Sequence, residues 1–192
     1  MKKLSLFFIV LLVISISSCG GNKQTKDKDT IYSLIDKSVK NNFGKYQLYD
    51  SVSVEIDKKT TGYLWFILTG ETWNRAVLMA YKYENDELLL LDVNPHIMAE
   101  SDLNPKDMDY FFTNEGNKVN LYDNYGAEYR FSFETGGVYV DAMIMHRTFH
   151  DEEVLISETA TIDKIDFGRL RLSDLSLDFW EIYAPDFIKD NN

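Results

Sequence analysis

Two histidines are the first residues whose type and spacing could hold a metal ion. His146 and His150 lie in the run HRTFHDEE, next to three acidic residues. On a helix, a spacing of four would bring the two rings together. The preceding residues predict a strand instead, with one face formed by Val138, Val140, Ala142, Ile144, His146 and Thr148. The two histidines of such a strand lie roughly 13 Å apart, too far to share one ion, so the sequence predicts no metal site here.

A second group of possible metal ligands is the acidic set Asp102, Asn104, Asp107 and Asp109. The calcium loop of an EF-hand needs oxygen ligands at its first, third and fifth positions and glycine at its sixth. Counted from Asp102, the fifth and sixth positions are Lys106 and Asp107. We therefore interpret these residues as a helix cap and a solvated surface.

Nucleophilic catalysis would require motifs that the chain lacks. The sequence contains neither G-x-S-x-G nor S-x-x-K, the arrangements that activate a serine in two large hydrolase classes. It also lacks a glycine-rich phosphate loop, and Gly136-Gly137 predicts a hairpin turn. The sequence thus predicts a protein that is not an enzyme and needs no cofactor.

Aromatic residues are stronger candidates for a binding role than the metal ligands and catalytic motifs considered above. The chain has three tryptophans and twelve tyrosines, and exposed Tyr and Trp side chains stack on sugars or anchor a protein partner. Most of them will lie in the core. Tyr122, Tyr125 and Tyr129 surround one predicted turn and are the candidates for exposure.

The first twenty residues predict export. Lys2 and Lys3 precede an apolar run from Leu4 to Ile16, which is shorter than the roughly 20 residues of a spanning helix. The run Ile16-Ser17-Ser18-Cys19 resembles the lipobox of bacterial lipoprotein precursors, in which the cysteine receives lipid. Cys19 is also the only cysteine in the chain, so the mature protein would have no disulfide and no thiol chemistry.

This resemblance, which covers residues 1–20, implies a signal peptide at residues 1–18 and lipid attachment at Cys19. The polar run from Gly20 to Asp29 predicts a flexible tether, so residues 19–29 would join the lipid to the domain. The length and composition of the chain resemble those of short Bacteroides-type lipoproteins, and this resemblance implies an envelope location. Because Gly20 is not the aspartate that marks inner-membrane retention, we expect the outer membrane, facing the periplasm. No other segment is apolar enough to span a membrane.

The charge of the chain limits its partners. The net charge is −11, and loss of Lys2 and Lys3 would make the mature chain more acidic. Nucleic acid is excluded because phosphate binding needs clustered Lys and Arg. Anionic lipid would repel the domain, so its membrane contact would be the lipid on Cys19. A protein partner with a basic surface suits the acidity.

Apolar spacing predicts one amphipathic helix from Thr30 to Phe43, which we expect to pack against a sheet, with Gly44 at its end. A second, short helix is predicted from Asn104 through Phe111 and Phe112. The remaining segments predict strands joined by short turns. These strands are residues 46–57, 63–69, 72–83, 87–93, 119–122, 128–134, 138–149 and 154–167, with a further segment at 175–183 that suits either a strand or a helix.

The sequence therefore predicts a mainly β (α+β) fold, an antiparallel sheet folded as a sandwich or barrel with one N-terminal amphipathic helix. Residues 30–192 would form a single β-rich globular domain. We expect a lipid-anchored envelope protein that acts as an interaction or binding module. The alternative is a lipocalin-like carrier of a small apolar ligand, which would need an interior cavity.

Overall fold

The computed structural model describes residues 21–71, 75–95, 97, 110–122, 126–151, 154–176 and 182–183; for 21–27, 147, 149–151 and 154–156 it describes the backbone alone. These residues form two sheets of antiparallel strands and little helix, which confirms the predicted fold class. The chain divides into two compact units, one ending at Asn42 and one beginning at Phe43. A single domain beginning at residue 30 stays a prediction.

The long helix, α1 (Gly21–Phe43), covers the whole segment predicted to be helical. It ends as predicted at Gly44, whose φ of 71° belongs to the left-handed region that closes many helices. Its start lies nine residues before the predicted start at Thr30, inside the stretch for which the sequence predicts a tether. The tether stays a prediction.

The apolar residues of α1 differ in exposure. Ile31, Ile35 and Val39 recur every fourth residue and are buried, whereas Leu34 is 40% exposed. The pattern is that of an amphipathic helix. Its packing against a sheet stays a prediction.

The first sheet is a meander of four antiparallel strands in chain order: β1 (Gln47–Asp57), β2 (Thr60–Thr69), β3 (Arg75–Glu84) and β4 (Glu87–Asn94). Two-residue loops join β1 to β2 and β3 to β4. Asn85 and Asp86 have φ angles of 51° and 64°, the left-handed pair that a type I′ turn requires. The predicted hairpin between β3 and β4 is therefore confirmed.

The second sheet contains the remaining strands: β5 (Phe111–Glu115), β6 (Lys118–Tyr122), β7 (Ala127–Glu134), β8 (Gly137–Asp151), β9 (Val154–Asp163) and β10 (Leu170–Arg171). The first four form a meander. Both β9 and β10 lie on the free side of β8, where β9 pairs with residues 142–151 and β10 with residues 139 and 140. A four-residue helix, α2 (Lys164–Phe167), connects β9 to β10, and a 3-10 turn (Leu172–Asp174) follows.

Two predicted elements are wrong. Phe111 and Phe112 belong to strand β5 and not to a short helix, because they pair with Tyr122 and Leu121 of β6; residues 104–109 lie outside the described residues. The strand predicted over 154–167 ends at Asp163, whose carboxylate caps α2. A side-chain cap thus ends the strand although apolar residues continue.

A hydrophobic core lies between the two sheets. Phe66 of β2 and Phe131 and Phe133 of β7 are among its largest fully buried side chains. Gly62 of β2 allows the closest approach, since a Cβ there would lie 2.5 Å from Cδ1 of Phe133. The ring of Phe133 therefore packs directly on the glycine backbone.

Side-chain hydrogen bonds close the two open sides of this pair of sheets. On one side, the carboxylate of Asp50 in β1 accepts from the N–H of Phe112 in β5 (3.0 Å). On the other side, the carboxylate of Asp92 in β4 accepts from the N–H of Val138 in β8 (2.9 Å). Asn94 of β4 donates to the carbonyls of Leu172 and Leu175 at 2.8 and 2.9 Å. Among the two predicted arrangements, the described strands form the sandwich.

Candidate functional site

Several residues that the sequence suggested for chemistry lie outside the described part of the chain. They are Cys19, Tyr125 and the acidic set Asp102, Asn104, Asp107 and Asp109. Lipid attachment at Cys19 stays a prediction.

His146 and His150 both belong to strand β8, as their sequence context predicts. Nδ1 of His146 lies 2.9 Å from the hydroxyl oxygen of Thr159 on the neighbouring strand β9. No group of three or more His, Cys, Asp or Glu residues within the described ranges could hold a metal ion.

Tyr122 and Tyr129, predicted as exposed neighbours, lie on opposite faces of the second sheet. Tyr129 packs against the core. Tyr122 lies on the face that points away from the core, where its ring stacks on that of Phe111 with a centroid distance of 5.0 Å and an angle of 17°. Phe111 is 50% exposed. The aromatic surface therefore consists of one tyrosine that the sequence suggested and a phenylalanine that it placed on a helix.

A β-bulge in β8 decides which other residues share this face. Phe131 pairs with Val140 and Arg130 with Ala142, so Asp141 is an extra residue in β8. Beyond the bulge, Met143 is fully buried in the core. Strict alternation of faces from Val140 would instead have placed Ala142 in the core. The prediction of one face running from Val138 to His146 is wrong, because the extra residue reverses the alternation.

The bulge also places the Asp141 carboxylate on the outer side of the sheet, where its side chain is 15% exposed. Its Oδ1 accepts a hydrogen bond from the hydroxyl of Ser132 (2.9 Å) and forms an ion pair with Nζ of Lys164 in α2. An acidic residue inside an otherwise apolar strand pattern is the sequence feature that could have indicated this bulge. Asp141 thereby connects the sheet to the α2 connection.

Two further ion pairs lie on the same face. Nε of Arg130 donates to Oε1 of Glu128 at 2.7 Å, and the hydrogen bond to this carboxylate raises the pKa of Arg130. Nη2 of Arg169 lies 2.6 Å from Oε2 of Glu134, and its guanidinium lies 4.1 Å from the ring centroid of Tyr139. An arginine this close to a ring centroid combines cation–π attraction with ion pairing.

We refer to these residues as the outer face of the second sheet: Phe111, Asn120, Tyr122, Glu128, Arg130, Ser132, Glu134, Tyr139, Asp141 and Arg169. It presents ring surface at the β5–β6 edge and the partly exposed side chains of Arg130, Glu134 and Arg169. Glu128 and Ser132 lie on the same face but are buried, with exposures of 6% and 7%. Asn120 donates from its amide to the hydroxyl of Tyr122 (3.2 Å). Such a surface can recognise a partner by stacking and by hydrogen bonds.

None of the helices within the described residues is long and apolar enough to cross a membrane. Comparison of the chain with protein-family models, with curated proteins and with solved structures gives no match.

Proposed function

We propose that the protein is a non-enzymatic binding module, anchored by lipid at Cys19, which binds a protein partner through the outer face of the second sheet. The observation that supports this best is the half-exposed ring of Phe111, stacked on Tyr122 and bordered by paired charges. Aromatic and arginine side chains contribute most of the binding energy in many protein interfaces. The arrangement suits an interface with an apolar centre and a polar rim.

The proposed location is the cell envelope, at the outer membrane facing the periplasm. Support comes from the lysines, the short apolar run and the lipobox-like residues Ile16 to Cys19. A lipid anchor with several acyl chains would hold an acidic domain at a surface that does not itself attract it.

The proposed partner has a basic surface. The chain has a net charge of −11, so a basic partner would associate faster and at a rate that falls with increasing salt. The alternative function, carriage of a small apolar ligand, stays a prediction; in the described part of the chain, buried side chains of both sheets form one packed core.

The anchor is tested by metabolic labelling of the full chain with an alkyne fatty acid, followed by membrane fractionation. We expect label on the wild-type chain in the membrane fraction and an unlabelled, unanchored product from the variant Cys19→Ala. A mature protein with an unmodified Cys19, or with residues 1–18 still attached, would overturn the proposed location.

The binding face is tested by a photo-crosslinking amino acid placed at Phe111 of the full chain in cells. A second chain with the same probe at Leu48, which is 40% exposed on β1 of the other sheet, is the matched control. We expect a discrete, salt-sensitive protein adduct from position 111 and none from position 48. Equal adducts from both positions, or none from position 111, would contradict the proposal.

A further inference from the structure

The α2 connection has a backbone shape that is fixed by its own hydrogen bonds. Oδ1 of Asp163 accepts from the N–H of Ile165 (2.7 Å), and Oδ2 of Asp166 accepts from the N–H of Asp163 (2.8 Å). The N–H of Gly168 donates to the carbonyl of Lys164 at 2.9 Å, with a left-handed φ of 73° at the glycine. This reciprocal capping box specifies one conformation of the turn.

Side chains on either side of Ile165 attach this turn to the rest of the sheet. Lys164 forms its ion pair with Asp141 at the bulge of β8. Phe167 packs against the core, and its ring meets that of Tyr183 edge-on, with 6.2 Å between centroids. The backbone at Ile165 is therefore held in place by the contacts of Lys164 on one side and of Phe167 on the other.

Ile165 itself is 92% exposed. Single exposed apolar residues are common on proteins, but this one lies on a turn fixed by hydrogen bonds and has exposed apolar neighbours. Ile182 is 62% and Tyr183 40% exposed, and the Phe167–Tyr183 contact brings this pair from the C-terminal part of the chain to the α2 connection. A preorganised apolar side chain loses little conformational entropy when a partner buries it.

The charges beside Ile165 indicate the character of its partner. Within the described residues, the carboxylates of Asp163 and Asp166 accept backbone hydrogen bonds and form no ion pair, whereas Lys164 and Arg169 are already paired with carboxylates. The negative charge around Ile165 is thus unneutralised, and basic groups would complement it.

We infer that Ile165 is the anchor residue by which the chain binds its protein partner, and that it enters an apolar pocket with basic residues at its rim. This inference rests on the proposed function, because the ion pair of Lys164 and Asp141 makes the α2 connection continuous with the outer face of the second sheet. Burial of an isoleucine side chain corresponds to about 10- to 100-fold in affinity.

The test uses the full chain with the crosslinking probe at Phe111 and compares the yield of its adduct among variants. We expect Ile165→Ser to lower the yield at least 10-fold, Ile165→Leu to change it less than 3-fold, and Asp166→Asn to make it less sensitive to salt. Leu89→Ser is the matched control, since Leu89 is 44% exposed on β4, and it should change the yield less than 2-fold. Circular dichroism and thermal unfolding of Ile165→Ser should match the wild type.

The outcomes separate this inference from the proposed function. If the adduct at position 111 forms and Ile165→Ser leaves its yield unchanged, the anchor role is wrong and the proposed binding face stands. If position 111 gives no adduct in the wild type, the proposed binding face and the anchor role of Ile165 are both wrong. Binding of the domain without its anchor to zwitterionic or anionic lipid vesicles, abolished by Ile165→Ser, would show that Ile165 meets a lipid surface and would also overturn the inference.

Discussion

The carboxylate of Asp92 accepts a hydrogen bond from the backbone N–H of Val138, which lies 46 residues further along the chain and in the other sheet. Asp92 is 5% exposed. Its Oδ2 also accepts a hydrogen bond from Nη2 of Arg171 (3.0 Å), and this hydrogen bond raises the pKa of Arg171. The same Nη2 donates to the carbonyl of Leu91 (3.2 Å). One buried acid therefore joins β4, β8 and the segment after α2.

The variant Asp92→Ala should lower the free energy of unfolding by about 2–3 kcal/mol, because it leaves the buried N–H of Val138 without its acceptor and removes the partner of Arg171. Urea denaturation followed by tryptophan fluorescence measures this. Glu87→Gln, an exposed acidic position on the same strand, should change stability by less than about 0.5 kcal/mol. Equal effects of the two variants would contradict the bridging role.

Gly62 and Gly136 provide a matched pair of glycine substitutions. Gly62→Ala would place a Cβ 2.5 Å from Cδ1 of Phe133 and 2.9 Å from Cγ2 of Val54, whereas a Cβ at Gly136 meets nothing within 4 Å. We expect a loss of about 1–3 kcal/mol for Gly62→Ala through overpacking and a change of less than about 1 kcal/mol for Gly136→Ala. Thermal unfolding of both variants distinguishes them, and similar melting temperatures would refute the close packing at Gly62.

The bulge at Asp141 can be tested by comparing deletion with substitution. Deleting Asp141 removes the extra residue and leaves a regular ladder, in which Ala142 follows Val140 directly and still faces outward while Met143 still faces the core. We expect this deletion to preserve cooperative unfolding and to cost about 1–3 kcal/mol, because it removes the contacts of Asp141 and the local twist of the bulge. Asp141→Ala keeps the bulge and loses only the contacts to Ser132 and Lys164, which should cost about 0.5–1.5 kcal/mol. Loss of cooperative unfolding on deletion would show that Asp141 is not the extra residue of β8.

Asp57 should make stability depend on pH in the acidic range. Its Oδ1 accepts a hydrogen bond from the backbone N–H of Lys59 (2.8 Å), which lowers the pKa of Asp57, and its Oδ2 accepts one from the hydroxyl of Thr60 (3.1 Å). Because the folded-state pKa lies below the unfolded-state value, the stabilisation is complete above the unfolded value, near pH 4, and is lost as the pH falls through the folded-state pKa.

Urea midpoints of the wild type and Asp57→Ala at pH 7, 4, 3 and 2 measure this effect. The difference between the two proteins should be largest at pH 7 and shrink towards pH 2. A difference that is the same at every pH would mean that the carboxylate charge has no part in the turn.

Local chemistry explains most of what could be predicted. The left-handed turn at Asn85 and Asp86 depends on residue types that tolerate that conformation, and the buried strand β2 follows from its uninterrupted apolar run. The assignment of Phe111 and Phe112 to a helix failed for a physical reason. Two adjacent aromatics suit a helix face as well as the two faces of a strand, and only their pairing with β6 decides between them.

The candidate site was predictable in part. The sequence singled out Tyr122, but not its stacking partner Phe111, nor Ile165, whose exposure follows from the capped turn that holds it. The residues in these contacts are not related by the spacing of a helix or a strand, so the sequence pattern does not predict the contacts. The sequence pattern also does not distinguish an exposed isoleucine from a buried one.

The sequence by itself determined the strands, the tight turns and the antiparallel class, because each depends on the preferences of residues that are neighbours in the chain. Only the tertiary structure decided that the strands form two sheets, that the bulge at Asp141 reverses the faces of β8, and that Asp92 reaches Val138. These features depend on hydrogen bonds and packing between distant residues, whose free energy exists only once both sheets are in place.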